Sequence, residues 1–392
     1  MSKIAFFCIP AHGHTNPTLG VVKELISRGN EVWYYSYDIM KEKIESTGAK
    51  YISCDPYDIQ MQLKPEDADR VGKDIAFSTE ILVKTTLALD EAILKDMKAW
   101  NPDCIVGDSV ATWGKLTAMK LGVPFICSTT TFAFNKYSAR IMKQDIGQLF
   151  QMMFSMGKSK KFIRMLQEKG YPVKNIISIV QNDNDTNTIV YTSPEFQPFS
   201  ETFSDKYLFV GPSIPKAEQS RKQSKQKHIY ISLGTVNNQV TSFFKNCIEA
   251  FKNTDYRVTM SVGNIIDLKQ LGEIPENIKV ERSVNQIEVL NQSDVFITHC
   301  GMNSVSEALY YQVPLVLFPQ TNEQGGVAYR VNELGAGKYL KENNAESIRA
   351  SVEEVLTNPS YKQNAVKIAE SFFRCGGAKA AADFIERKAA FH

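Results

Sequence analysis

The 392-residue chain has no C-x-x-C pair, no run of about 18 apolar residues and no large excess of charge of either sign. Each absence closes off a class of protein. Its seven cysteines, at 8, 54, 104, 127, 247, 300 and 375, stand singly, four of them within or beside apolar strand-like runs. That is the pattern of a reducing compartment, and with only five histidines it offers no zinc spacing. The apolar run inside Met1–Pro10 is too short for a signal sequence or a membrane span, so a cytoplasmic protein with no membrane span is expected. Lys and Arg total 45 against 43 Asp and Glu, a net charge of +2, and nothing argues for a nucleic-acid partner. No G-x-G-x-x-G follows an opening strand, which counts against a dinucleotide oxidoreductase.

What is present is an α/β alternation. At 43% hydrophobic and 22% charged, the chain is long enough for two ordinary domain cores. Strand-like runs at Lys3–Ile9, Glu31–Tyr37, Lys50–Cys54, Cys104–Asp108, Pro124–Ser128, Thr188–Ser193 and Tyr207–Gly211 alternate with helical patterns near 16–28, 38–47, 79–99 and 111–121. The alternation resumes at His228–Gly234 and runs through Tyr256–Gly263, Ile278–Ser283, Val295–His299, Pro314–Pro319 and Gly337–Leu340. The polar run 216–227 between the halves has no apolar period and reads as a linker. The expectation is two doubly wound, Rossmann-like domains, 1–215 and 228–375, facing across a cleft, with a final helix in 376–392.

Two turns carry chemistry. In Pro10-Ala11-His12-Gly13-His14-Thr15-Asn16-Pro17, Asn16 suits a helix N-cap and Pro17 the first helical position, placing His14 just before a helix start. The positive helix end disfavours imidazolium there, so His14 is suited to act as a general base. An isolated histidine in such a turn is ordinary polar filling. Asp108, closing Cys104–Asp108 ahead of a helix near 111, is placed either to cap that helix or to hold His14 in one tautomer.

The second turn is Thr298-His299-Cys300-Gly301-Met302-Asn303-Ser304-Val305-Ser306-Glu307, followed by Pro314, Pro319 and Glu323-Gln324. An apolar strand runs into a His-Gly turn and a new helix, where main-chain amides face an anion. Ser304 and Glu307 also have the spacing of a capping box, and Glu323 and Gln324 suit a solvated helix start. The order His, Gly, Asn-Ser, Glu, Pro, Glu-Gln resembles the nucleotide-sugar signature of the family-1, UDP-dependent glycosyltransferases of GT-B fold, and most of all their bacterial macrolide and natural-product branch.

The resemblance implies a hexosyltransferase using a UDP-sugar, UDP-glucose by Gln324, with no metal and no bound cofactor. His14 is then the base and Asp108 its partner. His299, Gly301, Asn303 and Ser304 hold the diphosphate, and Glu307 accepts bonds from ribose hydroxyls. Ser232, Gly234 and Thr235 form a loop reaching toward the phosphates, and Glu323 and Gln324 contact the sugar. The family's aromatic base platform is replaced: Ser283 stands in its place, with Val284 and Gln286 left to contact the nucleoside and Arg282 able to offer a guanidinium plane. The variable 132–156 stretch, with Phe132, Phe134, Tyr137, Met142 and Phe150, is the expected pocket for a hydrophobic small-molecule acceptor. Asp183-Asn184-Asp185 has the D-x-D spacing of metal-dependent transferases but lies in a polar turn. Two other readings share the fold: a nucleotide-sugar epimerase, and a non-catalytic partner protein.

Overall fold

The computed structural model describes residues 1–57, 74–135, 137, 160–175, 179, 185–215, 217–221, 224–234 and 240–390. The chain divides into two units, Met1–Ser193 with Phe199–Ser213 and Cys375–His392, and Pro194–Pro198 with Ile214–Arg374. Each is built around one parallel sheet.

In the first unit seven strands, β1 (Lys3–Phe7), β2 (Glu31–Ser36), β3 (Lys50–Ser53), β4 (Cys104–Asp108), β5 (Phe125–Thr129), β6 (Thr188–Val190) and β7 (Tyr207–Phe209), lie in the order 3-2-1-4-5-6-7. Strands such as KIAFF and CIVGD are apolar almost throughout because helices cover both faces. Ile4, Phe6, Val106 and Ile126 pack with helices His12–Ser27 and Gly377–Ala389, whereas Ala5, Phe7 and Ile105 pack with Ile75–Trp100 and Thr112–Leu121. The C-terminal helix is fixed to this unit by Ala381, Phe384 and Ile385 in the core and by Arg28, whose guanidinium lies 2.6 Å from Asp383 and 2.8 Å from Glu386.

The second unit repeats the plan with β8 (His228–Ser232), β9 (Arg257–Ser261), β10 (Ile278–Glu281), β11 (Val295–Thr298), β12 (Leu315–Leu317) and β13 (Gly337–Tyr339), in the order 10-9-8-11-12-13. In both sheets the strand order reverses beside the first strand, between β1 and β4 and between β8 and β11. A crevice opens at the carboxyl ends of strands where the order reverses.

Two local expectations are corrected. The first helix begins at His12, not near 16: His14 N and Thr15 N both donate to Ala11 O, at 3.0 and 2.9 Å, so the helix is under way before Pro17. Asn16 is no cap, and His14 lies inside the first turn. The polar run after 215 is also bound to the second unit over its described part. Tyr311 OH accepts from Ala217 N and donates to Pro215 O, Glu288 accepts from Glu218 N and Gln219 N, and Asn291 and Gln292 donate to the carbonyls of Gln219 and Ser220. Composition marks this run as polar but says nothing of the main-chain partners that hold it.

Candidate functional site

In the first unit, β1 delivers the chain to the helix carrying His14, and neighbouring β4 ends on Asp108; Phe7 and Gly107 are paired in register. His14 Nδ1 lies 2.7 Å from Asp108 Oδ2. The carboxylate side chain is 1% exposed and the imidazole 21%. The other oxygen, Oδ1, accepts from Val110 N at 2.9 Å and Ala111 N at 3.3 Å, ahead of the helix Thr112–Leu121. Oδ1 thus anchors the turn leading into that helix without capping it, and Oδ2 is the oxygen that pairs with His14. A carboxylate oxygen can only accept, so the ring proton sits on Nδ1 and Nε2 carries the lone pair of the neutral imidazole. The Asp108 charge also helps burial push up the pKa of the nearby Cys8 thiol and Tyr191 phenol. His12, by contrast, faces Lys43, with Nδ1 and Nζ 3.3 Å apart, and burial and that cation lower its pKa.

In the second unit, Thr298 and Ser232 are register partners at the carboxyl ends of β11 and β8. The turn between β11 and the helix Met302–Tyr310 passes through Cys300 at φ 66, a left-handed conformation unusual for a side-chain-bearing residue, and Gly301 is the N-cap. The His299 ring lies against two glycines. A Cβ at Gly234 (φ +77) would lie 2.7 Å from the ring, and one at Gly301 would lie 2.6 Å from Nε2. Burial lowers the His299 pKa to about 4, outweighing a Ser232 main-chain hydrogen bond, so the ring is a neutral donor near pH 7. Its Nδ1 is buried with no partner in normal hydrogen-bond geometry among the described residues.

Because Gly301 is the cap, Ser304 is the third helical residue and Glu307 lies a turn further on, so the capping-box reading of that pair does not hold. Glu307 Oε2 instead accepts from Gln286 Nε2 at 2.5 Å, and the same amide nitrogen lies 3.3 Å from Ser304 Oγ. Gln286 opens the short helix Gln286–Asn291, with Val284 two residues before it. Ser283 is exposed and presents no ring, and Arg282 is turned to the Asn264 carbonyl at 3.0 Å. Asn303 stands beside Gly301 in the first turn of its helix.

Gln324 is the third residue of the helix Asn322–Glu333, where it closes a capping box with Thr321: its Oε1 accepts from Gln320 N at 2.7 Å and Thr321 N at 3.2 Å. Glu323 is exposed beside it. Of the acceptor candidates, Phe132 is buried, Phe134 and Tyr137 are exposed, and Met142 and Phe150 lie outside the described residues. Thr235, Asp183 and Asn184 lie outside them too.

Sequence reasoning missed two hydroxyls. Thr130 Oγ1, just past β5, is 3.3 Å from His14 Nδ1, and Tyr230 OH, on β8, donates to Gln286 Oε1 at 3.1 Å. The only prior signal for Thr130 was its place after the strand neighbouring β4. Tyr230 reads as core.

Residues 247–374 match the family model for the C-terminal domain of erythromycin biosynthesis protein CIII-like proteins. Over 385 residues the chain is 34% identical to the uncharacterized UDP-glucosyltransferase YdhE of Bacillus subtilis, covering 96% of this chain and 95% of that protein. It is also 34% identical over 401 residues to the NDP-glycosyltransferase YjiC of Bacillus licheniformis, covering 98% and 96%. Among solved structures, the kitacinnamycin glycosyltransferase superposes with a TM-score of 0.83 at 26% identity, over 99% of this chain and 98% of that one. The two parallel-sheet units, the paired histidine and aspartate and the glycine-flanked His299 turn therefore sit in a chain that belongs to the family-1 glycosyltransferases of GT-B fold, in their bacterial macrolide and natural-product branch.

Proposed function

We propose that this glycosyltransferase moves glucose from UDP-glucose to a hydroxyl of a hydrophobic small molecule, with inversion at the anomeric carbon and without a metal. The observation carrying this reading is the 2.7 Å contact between His14 Nδ1 and Asp108 Oδ2, which fixes the tautomer that a general base needs. His14 Nε2 takes the acceptor proton as the hydroxyl oxygen attacks the anomeric carbon. The bond from that carbon to the diphosphate breaks, and the nucleoside diphosphate leaves with the electron pair. Asp108 stabilises the imidazolium formed.

The departing charge falls to the second unit. The amides opening the helix Met302–Tyr310, with Asn303 and Ser304, and neutral His299 are the donors assigned to the diphosphate. Glu307 is assigned to the ribose, Ser232 and Gly234 to the approach to the phosphates, and Val284 to the base by its main chain. The UDP-glucosyltransferase named above supports the choice of UDP and glucose. Gln324 supports glucose less directly, because its Oε1 is held by the capping box and its Nε2 is the end left to meet a sugar hydroxyl. The exposed rings of Phe134 and Tyr137 support an apolar acceptor.

The test is a product screen by mass spectrometry, with UDP-glucose and its thymidine counterpart supplied against phenolic, macrolide and sterol acceptors. A gain of one hexose on an acceptor, faster from UDP-glucose, is expected. Release of diphosphate or conversion of the sugar with every acceptor unchanged would point to an epimerase, and no turnover of any donor to a non-catalytic partner.

A further inference from the structure

We propose that Tyr230 is the positioning residue for the ribose-binding carboxylate, Glu307, and that it acts through Gln286. The inference rests on the assignment of Glu307 to the donor ribose made above, and deepens it by naming what aims that group.

Tyr230 lies within β8 and is 1% exposed. Its ring stacks on Phe296 of neighbouring β11, with centroids 4.5 Å apart and planes 15° from parallel, so the phenol is set by the sheet and not by a mobile loop. The hydroxyl donates to Gln286 Oε1 at 3.1 Å, and the amide nitrogen of the same side chain donates to Glu307 Oε2 and lies within reach of Ser304 Oγ. Burial and the Glu307 charge push the phenol pKa up, so it is a neutral donor at working pH.

Direction is what matters in this chain of bonds. An amide has one accepting and one donating end, and a carboxylate only accepts. With the phenol donating to Oε1, the nitrogen end of Gln286 is turned to Glu307. Flipped, the amide would set its carbonyl oxygen against the carboxylate, acceptor to acceptor. The carboxylate sets the orientation of the amide, and the phenol proton, filling the accepting end from inside the sheet, holds the side chain in that orientation. Tyr230 is thus set to influence how strictly the site demands a ribose.

The Tyr230→Phe variant keeps the ring and its stacking and removes one donor. Calorimetric titration with UDP and with 2′-deoxy-UDP is compared for the wild type, Tyr230→Phe and Glu307→Gln. UDP binding is expected to weaken about three- to tenfold in Tyr230→Phe, and 2′-deoxy-UDP binding less, so the preference for the ribose shrinks. In transfer assays the loss should fall on donor KM more than on kcat. A purely structural role would lower the melting temperature and leave the ribose preference intact. Loss of the preference in Glu307→Gln with its full retention in Tyr230→Phe would overturn the inference and spare the assignment of Glu307. A wild type that binds both nucleotides equally would overturn both.

Discussion

His14 and Asp108 illustrate how one side chain takes on two tasks through two atoms. Asp108 Oδ1 is held by the amides of Val110 and Ala111, and that anchoring fixes Oδ2 against His14 Nδ1. That anchor alone would have left the imidazole to choose its tautomer. Asp108→Asn keeps the shape but offers an amide to the ring and removes the charge that stabilises imidazolium. We expect kcat to fall by about two to four orders of magnitude, with a double variant carrying His14→Ala no worse than His14→Ala alone. Losses that multiply in the double variant would show that Asp108 acts apart from His14. Both residues were legible in the sequence, because one follows and the other ends an apolar strand. Thr130 and Tyr230 were not, since a hydroxyl's role depends on neighbours brought in from distant strands.

At the level of elements, both sheets put their candidate site residues where the strand order reverses, after β1 and β4 and after β8 and β11. The strands were readable because burial on both faces makes them short apolar runs; Cys104–Asp108 matches to the residue. Helix starts were less so. Asn16-Pro17 carries the usual start signal, yet the turn closes from Ala11, and Ser304 to Glu307 has the spacing of a cap that Gly301 supplies instead. In both cases the turn off the strand, and not the capping residue type, decides where the helix begins. The Gly301 turn makes a sharp test of the His299 pocket. Its φ of −62 suits any residue, so in Gly301→Ala only the 2.6 Å approach of the new Cβ to His299 Nε2 matters. UDP affinity should drop by about tenfold or more while the far-UV spectrum is unchanged. Unaltered affinity would mean that His299 does not help hold the nucleotide.

Across the whole molecule, the second unit carries two histidines that fold in the neutral state. Burial lowers His299 to about 4, and burial with Arg257 and Arg221 takes His228 to about 4 against the opposing Gln292 carbonyl and Asp294. The unfolded chain, with histidine near 6.5, binds more protons than the folded one between these values. Their contribution is therefore complete above pH 6.5 and is lost as the pH falls toward 4, by up to about 1.4 kcal/mol per pH unit for each group. Between pH 6.5 and 5 the urea midpoint should fall, and it should fall less steeply in His228→Gln; an equal slope in both proteins would refute the buried-neutral account of His228. Catalysis is the property of the intact chain, and its most direct test is the rate of hexose transfer to an aliphatic alcohol acceptor by the wild type and His14→Ala, with UDP affinity measured alongside. The account predicts a loss of about two to four orders of magnitude in turnover with UDP binding nearly unchanged, and a smaller loss on a phenol of low pKa. Transfer to the alcohol at the wild-type rate would contradict it.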